Sequence, residues 1–84
     1  MKFRRTEDFV ESFNGLPEQL QSRAEKTLEQ LAVNPRYPSL RLEKLRGTSN
    51  SWSVRVNRKI RITLQFTSDD EVVLIDIGGH EIYR

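Results

Sequence analysis

Trp52, Val54 and Val56 alternate with Ser53, Arg55 and Asn57. After a break at Asn57, Arg58 and Lys59 the alternation resumes, with Ile60, Ile62, Leu64 and Phe66 against Arg61, Thr63 and Gln65. Side chains of a strand point to opposite faces in turn, so each run predicts a half-buried strand. Two such runs around a short polar link predict an antiparallel hairpin. One face of it is apolar. The other carries Arg55 and Arg61, which cross-strand pairing brings close together. Two positive charges fixed on a rigid sheet repel unless something negative sits between them, so this face is a candidate phosphate site.

The flanking segments supply the rest of a small fold. Lys2 to Arg5 reads as a short strand with Phe3 inward. Thr6, followed by Glu7 and Asp8, reads as a helix N-cap with acidic residues in the first turn. The helix it starts is expected to bury Phe9, Val10 and Phe13 and to stop at Asn14-Gly15. Pro17 sits where a first helical residue is expected. From there a second helix runs to about Val33, with Leu20, Ala24, Leu28 and Leu31 as its apolar stripe and charged residues on the remaining surface. Asn34-Pro35 stops it. Arg36 to Gly47 is a loop passing into extended chain, and Thr48 to Ser51 is a polar turn. After a turn at Ser68-Asp69-Asp70, Glu71 to Ile77 forms the last strand. Its consecutive apolar residues, Val72 to Ile75, predict a strand covered on both faces in mid-sheet. The order is β-α-α-β-β-β, an α+β arrangement with a helical hairpin on one face of a small, mostly antiparallel sheet.

Composition narrows the class. Eighty-four residues make a single domain, residues 1–84. The chain has no cysteine and one histidine, which excludes disulfides and the usual Cys/His zinc sites. Val72 to Ile75 is the longest purely apolar run and is too short to span a membrane. The N-terminus lacks the apolar core of a signal peptide, so a cytoplasmic location is the default. The net charge of +2 hides an asymmetry. Between residues 36 and 61, Arg36, Arg41, Lys44, Arg46, Arg55, Arg58, Lys59 and Arg61 face Glu43 alone, a net of +7. The segments on either side are net acidic. Such a block suits a polyanion or an acidic protein partner, the plain alternative being a solvated basic face.

His80 is the only side chain whose ordinary pKa lies near neutrality. It follows Gly78-Gly79 at the end of a buried strand, so the sheet positions it. The plain alternative is a surface histidine near the terminus. Tyr83, three residues on, can share a site with it or serve as an aromatic lid on the core. Arg55 and Arg61 suit phosphate through their planar fork of donors. Lys44, Arg46, Arg58 and Lys59 read as electrostatic steering groups, and Trp52 as core. No serine lies in a nucleophile-elbow context, no carboxylate cluster suggests a metal, and nothing calls for a cofactor.

Several stretches carry a resemblance. They are Pro38-Ser39-Leu40-Arg41-Leu42-Glu43-Lys44-Leu45-Arg46-Gly47, Trp52-Ser53-Val54-Arg55-Val56, Ile60-Arg61-Ile62 and Leu74-Ile75-Asp76-Ile77-Gly78-Gly79-His80, closing on Tyr83. Together with the two preceding helices they resemble the RelE/ParE superfamily of bacterial toxins over nearly the whole chain. The resemblance implies the toxin half of a type II toxin–antitoxin pair, neutralised by a small cognate antitoxin. Its RelE-like branch cleaves messenger RNA in the ribosomal A site without metal. The 2′-hydroxyl attacks the adjacent phosphate and the 5′-oxygen leaves. That chemistry needs cationic stabilisation of the pentacoordinate phosphate and proton transfer at both oxygens.

Carried over by position, the resemblance makes Arg61 the phosphate-stabilising arginine and Arg55 a second basic position. His80 becomes a general acid or base, and Tyr83 the residue that orients substrate. Lys44, Arg46, Arg58 and Lys59 would bind the backbone of messenger or ribosomal RNA. Two features depart from the pattern. Ser53 stands where relatives often have another basic residue. The chain also ends just after Tyr83, without the C-terminal helix of some relatives, which leaves an apolar edge or groove for an antitoxin. The alternatives are a ParE-like poison that blocks DNA gyrase by binding, or an inactive relative that only binds an antitoxin. The His80 and Tyr83 pair favours the nuclease.

Overall fold

The computed structural model describes residues 1–47 and 50–82. Five strands form one sheet: β1 (Lys2–Arg5), β2 (Glu43–Lys44), β3 (Ser51–Arg55), β4 (Arg61–Ser68) and β5 (Glu71–Gly78). Their order is β1-β5-β4-β3-β2, with β1 parallel to β5 and the other pairs antiparallel. The helices α1 (Glu7–Asn14) and α2 (Glu18–Val33) lie between β1 and β2 in the chain. Single-turn 3₁₀ segments cover Pro38–Leu40 and His80–Ile82.

Thr6 joins the first helix to the sheet. Its hydroxyl oxygen accepts from the Phe9 N–H at 3.0 Å, which caps α1, and its O–H donates to the Ile75 carbonyl at 2.6 Å. Phe9 and Phe13, one turn apart, share a face with their rings stacked at 6.0 Å. Phe9 is buried and Phe13 half-buried. Val10 is exposed rather than buried, because it lies about 100° round the helix from Phe9. Pro17 precedes the first turn of α2 instead of occupying it, and its carbonyl accepts from the N–H groups of Leu20 and Gln21. The α2 stripe holds for Ala24, Leu28 and Leu31, with Leu20 half-buried at the end. Thr27 joins the stripe, its hydroxyl satisfied by the Arg23 carbonyl at 3.1 Å.

One core results. Phe9, Ala24, Leu28, Leu31 and Leu40 pack on Val54, Val56, Ile62, Leu64, Val72, Leu74 and Ile77. Trp52 sits half-buried at its margin, edge-on to Phe66. The hairpin register is Trp52↔Leu64, Val54↔Ile62 and Arg55↔Arg61, as the alternation requires. β5 lies inside the sheet, between β1 and β4, and Val72, Val73 and Leu74 are all buried. Its pairing with β4 jumps from Leu64↔Leu74 to Thr63↔Asp76, skipping Ile75. A one-residue bulge reverses the alternation of faces. Ile77 is therefore returned to the core opposite Ile62, and Asp76 pairs with Thr63. The two-residue β2 is an addition to the expected order. It pairs only Glu43 with Ser53 and Lys44 with Trp52. None of the described helices is long and apolar enough to cross a membrane.

Candidate functional site

The face of the sheet away from the core is polar yet not simply solvated. Ser53 and Thr63 face each other across β3 and β4, and they are 1% and 4% exposed. Arg61 reaches diagonally across this pair. Its Nε–H donates to Ser53 Oγ at 3.0 Å. Its Nη2 donates to the Arg41 carbonyl at 2.7 Å and to the Ser53 carbonyl at 3.4 Å. Glu43 Oε1 lies 3.9 Å from the same Nη2. One edge of the guanidinium is thus bolted to the sheet. Nη1 donates to no group among the described residues, so two N–H bonds remain for an anion. Ser53, a departure from the resemblance, orients Arg61 together with the Arg41 carbonyl.

Arg41 makes this possible through an uncommon backbone. It adopts φ 46°, the left-handed region that non-glycine residues rarely occupy. It ends the 3₁₀ turn Pro38–Leu40 and turns its carbonyl toward Arg61.

Arg55 is half-buried and directly opposite Arg61 in the register. The two do not converge on shared contacts. Arg55 lines a cleft of about 550 Å³ with Arg23, Lys26 and Arg41, between α2 and the 3₁₀ turn, whereas Arg61 does not line it. Next in the same row is Gly78 of β5, opposite Arg61. His80 therefore begins its 3₁₀ turn at the end of the sheet that carries both arginines, with its side chain exposed. Glu81 folds back to accept from the Gly79 N–H at 2.9 Å. A side chain at Gly78 would meet Glu81 Oε1 at 2.7 Å and Ile82 Cγ2 at 2.8 Å, so it would press on the two side chains that follow His80. Tyr83 lies outside the described residues, so the predicted His80–Tyr83 proximity is not described.

The expected RNA-binding cations divide into two groups. Arg58 and Lys59 occupy the exposed tip between β3 and β4. There Asn57 Oδ1 accepts from the N–H groups of Lys59 and Ile60 at 2.9 and 2.8 Å. They share the end of the sheet that holds Arg55, Arg61 and His80. Lys44 and Arg46 are exposed on and after β2, toward the start of β3. Sequence reasoning overlooked Arg41, Ser53, Arg23 and Lys26 as site residues. A spacing of three and four along α2 places Arg23, Lys26, Thr27 and Gln30 on one face, and that is the only signal the sequence holds for two of them.

Neither a family model nor a curated protein matches the sequence. Solved structures do match in three dimensions. A YoeB/ParE toxin from Agrobacterium tumefaciens superposes with a TM-score of 0.80 at 16% identity, covering 95% of this chain and 99% of that one. The archaeal RelE–RelB complex from Pyrococcus horikoshii OT3 gives 0.76 at 16% identity, covering 93% and 92%. The intact RelBE toxin–antitoxin complex of E. coli gives 0.74 at 19% identity, covering 93% and 94%. The chain has the RelE/ParE toxin fold.

Proposed function

We propose that this chain is the toxin of a toxin–antitoxin pair and acts in the cytoplasm by cutting messenger RNA on the ribosome. The observation that carries the reading is Arg61, anchored along one edge with Nη1 bonded to none of the described residues, at the end of the sheet where Arg55 and His80 also lie. A cation that is already oriented spends no reorganisation energy when charge develops on a phosphate, and such preorganised donors contribute about 100- to 1,000-fold to rate. In the reaction, a base removes the proton of a 2′-hydroxyl, whose oxygen attacks the adjacent phosphorus. The 5′-oxygen departs with a proton from an acid, leaving a 2′,3′-cyclic phosphate and a 5′-hydroxyl. Arg61 holds the phosphate oxygens, Arg55 adds positive charge from the adjoining cleft wall, and His80 carries one of the two protons. Tyr83 has its substrate-orienting role from the resemblance alone. Arg58 and Lys59 meet the RNA backbone beside the site, with Lys44 and Arg46 farther along the edge. Neighbouring structures of antitoxin-bound toxins support a small antitoxin as partner.

The test is to induce the wild-type chain and His80→Ala separately, without antitoxin, and to map the 5′ ends of a reporter message by primer extension. New ends within translated codons for wild type, lost in the variant, are expected. Arrest of growth without new ends would overturn the reading and direct attention to gyrase.

A further inference from the structure

Beside the Arg61 site lies a second cationic surface. The cleft between α2 and the Pro38–Leu40 turn is lined by Arg23, Lys26, Arg41 and Arg55, with no carboxylate in its wall. α2 also carries Glu18, Glu25 and Glu29, so the helix turns its basic face to this cleft. Arg23 is fixed there by a 2.8 Å bond from its Nε–H to the Val56 carbonyl. Among the described residues, none of the four cations has an acidic partner within 4 Å. Concentrated, uncompensated positive charge in a concave wall raises the local concentration of anions.

A smaller cleft adjoins it and shares Pro38 and Arg41; its wall adds Pro35, Tyr37, Leu42 and Trp52. Tyr37, in the wall of this cleft, is 45% exposed. Cations followed by an exposed aromatic ring form the combination that holds single-stranded nucleic acid, with phosphates on the cations and a base on the ring. Arg41 joins both clefts to the candidate site, since the residue lines each of them and its carbonyl accepts from Arg61.

We propose that these two clefts form a binding track for a single RNA strand running on from the Arg61 site, with Lys26 and Arg41 taking backbone phosphates and Tyr37 stacking on a base. The track rests on the reading that the Arg61 face receives RNA.

The test measures fluorescence anisotropy of the purified full chain with a labelled 2′-O-methyl oligouridine, which lacks the attacking hydroxyl and cannot be cut. In Lys26→Gln the slope of log affinity against log salt becomes shallower by about 0.7, the share of one phosphate contact on a single strand. Lys26→Arg restores it. Tyr37→Ala binds about tenfold more weakly with the salt slope unchanged, as expected for loss of one stacked base. Unchanged affinity and slope in both Lys26→Gln and Tyr37→Ala would overturn the track. Lys26-dependent binding of a labelled polyglutamate peptide, with oligouridine binding untouched by Lys26→Gln and Tyr37→Ala, would assign the cleft to an acidic protein segment instead. Binding is read without cleavage. A wild-type chain that binds through Lys26 and Tyr37 yet cuts no message would sink the nuclease and leave the track standing.

Discussion

The two faces of the sheet exclude water by different means. On the helix-covered face, Val54, Ile62, Leu64 and Leu74 are fully buried by apolar packing against Phe9, Leu28 and Leu31. On the opposite face, Ser53 and Thr63 are nearly as inaccessible, yet their cover includes the hydrogen-bonded arm of Arg61. The first face answers to area and shape. The second answers to whether each polar group keeps its partner, because a buried donor left unpaired costs more than the bond itself contributes. Stability therefore resides mainly on one face, and oriented charge on the other.

Substitutions separate the two. Leu64→Ala removes a fully buried side chain and is expected to cost about 2–5 kcal/mol in urea unfolding. That is a large part of the roughly 5–15 kcal/mol that holds a small domain together. Arg61→Gln should lower cleavage about 100-fold or more while unfolding shifts far less than for Leu64→Ala. Equal damage to stability from both would erase the distinction between the faces. Gly78→Ala sets a methyl against Glu81 Oε1 and Ile82 Cγ2, and accommodation that shifts the backbone of these residues moves the turn that carries His80. A displacement of about 1 Å at a reacting group costs up to about 100-fold in rate, so activity should fall with little change in melting temperature. Ser53→Ala takes away the acceptor of the Arg61 Nε–H; about 1 kcal/mol of stability is expected to go, with cleavage reduced less than in Arg61→Gln. Val10→Ala, on an exposed surface, should stay within about 0.5 kcal/mol of wild type.

What the sequence made legible follows the same division. Period-two alternation in Trp52–Phe66 was sufficient for the hairpin and for the Arg55↔Arg61 register, because a slip of one residue would have buried arginines and exposed isoleucines. The central placement of β5 was visible in its unbroken apolar run. β2 was not visible, since two residues acquire strand geometry only from pairing with β3. Val10 was misplaced because a helix of eight residues gives too few turns to fix which of two adjacent apolar positions faces inward. The site was legible as residues but not as contacts. Arg61 is recognisable by its place in the hairpin, whereas its anchors come from Ser53, Glu43 and the backbone of Arg41, which only the folded chain brings together. Arg23 and Lys26 resembled a solvated helix surface until the turn at Pro38–Leu40 closed a cleft around them.

The central claim is that Arg61 is held in place to act on a phosphate. Its most direct test is the single-turnover rate at which purified Arg61→Gln cuts a message on programmed ribosomes, beside wild type. A loss of about 100-fold or more, with the variant still folded, is the result predicted for a preorganised charge. Cutting at the wild-type rate would make Arg61 a strap across the sheet and nothing more.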